Sequence, residues 1–203
     1  MTLRLKLMVL AAALGITACS STVTRYYTLI APMDTNSVTS TSAAPFQFEM
    51  LPVLMPVQVD QPPLVVRQGD GSLAILDTER WGSPLGDEFH DALTAQLERR
   101  FGTRDIAGLP KDSSQPLLSL RTDVRRFESV PGQYALIDVV WSLSLRKSGN
   151  QRLNLTCSSI IREQAAVGME GLILAHQQAV AKLAQNIAGT AQNWVQTPSS
   201  GCH

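Results

Sequence analysis

Cysteine, histidine and aromatic residues are all scarce here. Three cysteines and three histidines occur in 203 residues, aromatics make up 5%, and 17 Lys+Arg balance 17 Asp+Glu. Each scarcity excludes something. Cys19, Cys157 and Cys202 lie far apart, as do His90, His176 and His203, so no metal-ligand spacing arises and no metal or cofactor is expected. Balanced charge leaves no basic stripe for nucleic acid. Beyond residue 18 no apolar run approaches the ~18 residues that would suggest a membrane-spanning helix. Gly-x-Ser-x-Gly, His-Glu-x-x-His, a phosphate-cradling loop and a nucleotide fingerprint are also missing. Gly69-Asp70-Gly71-Ser72 lacks the lysine and following helix of a phosphate loop and reads as a turn.

The N-terminus is the informative segment. Arg4 and Lys6 form a basic head, Leu7 to Ala18 is almost wholly apolar or small, and no acid appears before Asp34. That is the layout of a secretory signal, with an apolar stretch too short to span a bilayer. Ile16-Thr17-Ala18-Cys19 is similar to a bacterial lipobox, where the cysteine thiol takes a diacylglycerol and becomes the acylated N-terminus. Several acyl chains, each contributing about 0.8 kcal/mol per buried methylene, make a firm anchor. Ser20 follows Cys19 where an Asp would favour inner-membrane retention, so the expected site is the outer membrane, facing the periplasm.

The expected divisions are a signal peptide over 1–18, a lipidated terminus and tether over 19–45, a domain over 46–196 and a tail over 197–203. The mature chain of about 185 residues suits one compact domain. Once Cys19 is acylated, Cys157 and Cys202 remain in an oxidising compartment. Two readings of them stay open: a bridge tying the tail to the body, or a buried unpaired thiol at Cys157, which alternates with Leu153, Leu155 and Ile161.

Alternation in Phe46–Leu51 predicts a strand, and prolines at 52, 56, 62 and 63 make Val53–Val59 an edge strand or extended arm. Leu64–Arg67 and Leu73–Leu76 around a Gly/Asp turn predict a hairpin. A helix is expected over Ser83–Phe101, capped by Ser83 and ended by Gly102, with Leu85, Phe89, Ala92, Leu93 and Leu97 inward. Strands over Leu117–Phe127, Tyr134–Leu145 and Arg152–Arg162 make a meander, and a second helix covers Gly171–Trp194. The class is therefore α+β: an antiparallel or mixed sheet with two helices packed on one face, in a single domain.

Few side chains invite chemistry. His90, beside the core residue Phe89, reads as solvated surface, and His176, among Ala175, Gln177 and Gln178, as surface or boundary. Trp81 reads as a hydrophobic staple at the helix start, or else as an exposed anchor for a partner. Arg121, Arg125, Arg126 and Asp123 read as a solvated strand face, or as a partner-binding edge. A hydrolase would need Ser142 or Ser159 within reach of His176 in a pocket.

In order and spacing, four landmarks resemble the auxiliary lipoproteins of MCE-type intermembrane lipid transport systems, the PqiC (YmbA) family. They are Cys19 followed by Tyr26-Tyr27-Thr28-Leu29; Val53-Leu54-Met55-Pro56 with Pro63-Leu64-Val65-Val66-Arg67; Trp81-Gly82-Ser83-Pro84-Leu85; and the strands Leu120–Phe127 and Leu136–Leu145. Gln61-Pro62-Pro63 departs from the family's Asp-Arg-Pro. The resemblance implies a non-enzymatic, outer-membrane accessory that docks an MCE-family periplasmic protein and its permease, with Arg67 and Trp81 as contact positions and a homo-oligomer allowed. The alternative is another envelope scaffold, such as a lipopolysaccharide-export plug or a cell-wall synthase activator.

Overall fold

The computed structural model describes residues 22–32, 43–69, 71–147 and 151–202. Cys19 and its lipobox lie outside the described residues. Among the described residues seven strands and two helices follow in the order β1 (Arg25–Tyr27), β2 (Gln47–Met50), β3 (Pro63–Arg67), β4 (Leu73–Trp81), α1 (Leu85–Phe101), β5 (Leu117–Val130), β6 (Tyr134–Arg146), β7 (Arg152–Gln164) and α2 (Met169–Gln196).

The strands form two sheets, ordered β1-β4-β3 and β2-β5-β6-β7, rather than one. Two pairings are parallel, β1 with β4 and β2 with β5. A parallel neighbour needs a long crossover, and here the β3–β4 hairpin and α1 intervene between β2 and β5. The meander β5-β6-β7 is antiparallel, with β6 central and its Ile137, Val139, Trp141, Leu143 and Leu145 all buried. Alternation leaves Arg121, Ser142 and Asn154 on the opposite, more open face. The α+β class with two helices holds.

In α1 the predicted stripe is buried, Asp87 and Glu88 occupy the first turn, Arg99 and Arg100 the last, and Gly102 closes it at φ 62°. Ser83 does not cap it. Pro84 holds the capping position without a side-chain bond, and Ser83 Oγ instead donates to Glu88 Oε1 at 3.2 Å. An early amide is satisfied from far away: Gly86 N donates to Asp60 Oδ1 at 2.9 Å, so the proline-broken arm after β2 serves as the cap. That arm also follows β5, with Val124 N donating to Leu54 O at 2.8 Å. α2 packs across β6, β7 and α1. Gly171 permits its first turn, because a Cβ there would stand 2.5 Å from Ala166 O.

The segment expected to be a tether is partly body. β1 pairs with β4, Leu29 is buried, and Glu88 receives Thr28 Oγ1 at 2.7 Å and Leu29 N at 2.9 Å. Glu88 is itself buried with no cation bonded to it among the described residues; hydroxyls and an amide satisfy it instead. A three-residue strand cannot hold itself, so this clamp fixes where the N-terminal segment enters the domain. In the sequence Arg25–Leu29 reads as a short strand-like piece at the head of the tether, and β1 forms within it; its parallel partner β4 is what local pattern does not show.

At the other end, Cys157 and Cys202 are joined by a disulfide with Cα atoms 5.7 Å apart. It fastens the polar tail to the edge strand β7.

Candidate functional site

Arg67 ends β3, exposed, at a recess of about 100 Å³ shared with β5. The sequence of β5 explains the recess. A register shift between Val124 and Arg126 marks a β-bulge, and there two consecutive residues, Arg125 and Arg126, both face outward. Beyond it Phe127, Glu128 and Ser129 are buried in succession. Glu128 collects the charges: Oε1 accepts from Arg126 Nη2 at 2.8 Å and pairs with Arg67 Nη2 at 3.3 Å, while Oε2 accepts from Tyr134 Oη at 3.2 Å. Arg162 covers the Tyr134 ring at 3.9 Å. Burial pushes the Glu128 carboxyl up, but the Arg126 hydrogen bond and charge, with Arg67 and Tyr134, outweigh it and hold the group below the ordinary range. Arg125 pairs separately with Asp123 at 2.8 Å. Asp138 faces Arg126 across the β5–β6 ladder, so Arg67, Arg125, Arg126 and Arg162 stand against Asp123, Glu128 and Asp138, an excess of one positive charge on donors only partly used. The arrangement suits an acidic or carbonyl-rich contact.

Beneath the recess lies an aromatic stack. Phe127 and His176 are parallel at 4.1 Å and 3°, and Trp81 meets both edge-on, at 6.1 and 6.4 Å. Trp81 is 3% exposed, so the reading of its ring as an exposed anchor is corrected: the indole is core. Arg67 and Trp81 are nevertheless connected, because Glu128 holds one and its neighbour Phe127 packs on the other.

His176 also departs from the surface reading, being fully buried. Its partner is neither Ser142 nor Ser159 but Ser129, whose Oγ lies 2.8 Å from Nε2. Ser159 Oγ accepts from Trp141 Nε1 instead. Among the described residues Nδ1 has no hydrogen-bond partner, so the group that would orient the ring in a serine–histidine–acid arrangement is not supplied. The helical period holds the information: His176 follows Leu172 and precedes Ala179 and Val180 on the buried stripe. His90, read as solvated surface, is only partly exposed and bonds Asp91 at 3.0 Å.

Burial pushes the His176 pKa down to about 3. In the unfolded chain the ring titrates near 6.5. Between those values the unfolded state binds a proton that the fold refuses, so stability falls as pH drops from 6.5 toward 3. The limiting slope is about 1.4 kcal/mol per pH unit. Glu49 and Glu128, both lowered from 4.5, add their own losses only below that value. Urea unfolding between pH 4.5 and 6.5 should therefore show this slope in the wild type and lose most of it in His176→Phe. Equal slopes would contradict the assignment.

A second concavity, an open groove of about 470 Å³, runs between Ile30–Ala31 and the C-terminal half of α1, floored by Ala92 and Ala95. Among the described residues no helix is long and apolar enough to cross a membrane, and no group of three or more potential metal ligands occurs.

The family described as ABC-type transport auxiliary lipoprotein component matches residues 27–188, from β1 well into α2. The chain belongs to that family. Two crystal structures share the fold of this auxiliary lipoprotein. One, of an uncharacterized protein, is 20% identical with a TM-score of 0.60, covering 83% of this chain and 98% of the other. The second, a protein from Xanthomonas campestris, is 18% identical with a TM-score of 0.57, covering 86% and 99%. A search of curated proteins finds no match. The matched span includes Arg67, Trp81 and Cys157 and leaves out Cys19 and Cys202.

Proposed function

We propose that this auxiliary lipoprotein is non-enzymatic, is acylated at Cys19 in the outer membrane, and holds its domain in the periplasm as the docking component of an MCE-type intermembrane lipid transport system. The family match over residues 27–188, behind a lipobox-like Ile16-Thr17-Ala18-Cys19, carries the reading. Confinement to a membrane raises the effective concentration of the domain for a periplasmic partner without any new contact. The Arg67 surface, backed by the Glu128 network, is the partner contact, and its residual positive charge calls for an acidic patch on the MCE protein. Trp81 acts only through the shape it gives that surface.

Cys19→Ala tests the anchor. The acylation site lies six positions ahead of β1, and the variant is expected to fold with an unchanged Tm. It should leave the outer-membrane fraction and lose transport activity in cells. Full activity from the soluble variant would overturn the tethering mechanism.

A further inference from the structure

The geometry points to a second membrane contact, made by the body of the protein rather than its acyl chains. We propose that the rim carrying Val23, Tyr26, Val167 and Leu174 rests in the headgroup layer of the membrane that holds Cys19. The inference rests on acylation of Cys19, and its partner is a lipid surface.

Reach is the first constraint. Arg25, where β1 begins, lies six positions after Cys19, and even fully extended that stretch spans only about 20 Å. A domain of this size has a radius of gyration near 16 Å, hence a width of about 40 Å. The tether is thus shorter than the domain it holds, and the rim where β1 begins cannot leave the neighbourhood of the headgroups.

The tether cannot be lengthened cheaply either. β1 is pinned by its pairing with Glu79–Trp81 and by Gly82 N donating to Tyr27 O at 2.8 Å. The Glu88 clamp holds Thr28 and Leu29, and Gln177 Nε2 donates to Thr28 O at 3.0 Å. Peeling the strand away would forfeit all of these together, including the burial of Leu29.

Val23, Tyr26, Val167 and Leu174 are each more than half exposed. The contacts of α2 place Val167 and Leu174 on the side of β1 that carries Arg25, while alternation puts Tyr26 on the other side of that short edge strand, so they flank the point where the N-terminal segment enters. Glu170 pairs with Arg25 at 3.9 Å, and Gln177 bonds the carbonyl of Thr28. Leu174 lies one turn from each, between the two residues that touch the N-terminal segment. Val167 stands three residues before Glu170, in the loop leading into α2. Tyrosine with aliphatic neighbours is the composition that partitions to a membrane interface, where the ring is buried and the hydroxyl stays wet. Arg25 is already paired with Glu170, so the contact needs no anionic lipid.

Leu109 provides the contrast. It too is more than half exposed, but it lies past the C-terminal end of α1, whereas β1 is clamped to the N-terminal turn. The 17 residues of α1 put about 25 Å between those ends.

The experiment uses the acylated full-length chain in phosphatidylcholine vesicles carrying headgroup-region nitroxide lipids. With Cys19 acylated and Cys157 bridged to Cys202, a bimane label can be placed singly through Tyr26→Cys, Leu174→Cys or Leu109→Cys. Quenching at Tyr26 and Leu174 should exceed that at Leu109 several-fold. Flotation and the intact mass of each preparation are recorded alongside. If the chain floats and carries its acyl groups but the rim labels are quenched no more than Leu109, the proposed contact is wrong and the anchor stands. Failure to float or to acquire acyl groups removes the anchor itself, and the contact falls with it.

Discussion

Trp81→Ala is expected to lower stability by about 3–5 kcal/mol, the usual cost of truncating a fully packed tryptophan. The indole is 3% exposed and meets Phe127 and His176 edge-on, so its removal opens a cavity under the recess that carries Arg67. Both rings lose a neighbour, and the stack that aims Glu128 toward Arg67 loosens. For a domain of this size the melting temperature should drop on the order of 10 °C. Trp81→Phe, which keeps an aromatic body in the site, should recover a large part of the loss. Thermal unfolding and partner capture measured on the same preparations separate core from anchor. Lost capture with unchanged melting would mean that the ring meets a partner directly and that its buried position is not the functional one.

Opening the Cys157–Cys202 bridge is expected to have an effect of similar size. The bridge closes a loop across a sequence separation of 45, spanning the end of β7 and all of α2. In the chain-entropy account such a loop stabilises the fold by about 4 kcal/mol, mainly by restricting the unfolded chain. Cys157 is buried on a strand face and tolerates a small apolar replacement, while Cys202 lies in an exposed tail. The paired variant Cys157→Ala, Cys202→Ser should therefore keep the native fold and unfold at lower denaturant with a steeper slope, because its unfolded state is more open. Dithiothreitol should shift the wild type to the same curve and leave the double variant unmoved. Coincident wild-type curves with and without reductant would contradict the assignment.

Much of the architecture can be read from pattern alone. Alternation through Ile137, Val139, Trp141, Leu143 and Leu145 announces a central strand, and the stripe from Leu85 to Leu97 announces a helix, because burial on one face imposes a strict period. What the pattern misses is long-range. Strands of three and four residues, β1 and β2, join sheets through parallel neighbours distant in sequence, and no local period records such a pairing. The cap of α1 is hidden for the same reason. Ser83 has the right chemistry at the right place, but Glu88 takes its hydroxyl, and Asp60 supplies the oxygen from 26 residues upstream.

The candidate site divides along that line. Arg67 is visible as a cation ending an apolar strand, yet its partner Glu128 lies 61 residues away in a strand shifted by a bulge. Trp81 is visible as an aromatic at a helix start, where staple and anchor are indistinguishable until burial is known. His176 is masked by its glutamine neighbours, although its spacing from Leu172, Ala179 and Val180 marks the inward face of α2.

The central claim is that this auxiliary lipoprotein docks an MCE protein through the Arg67 surface. A photoreactive amino acid at position 67, in acylated protein within intact cell envelopes, tests it most directly. Light should yield one dominant adduct containing the periplasmic MCE protein, and the same probe at Leu109 should yield none. An adduct at position 67 with a lipopolysaccharide-export or cell-wall synthase component, and none with an MCE protein, would contradict it.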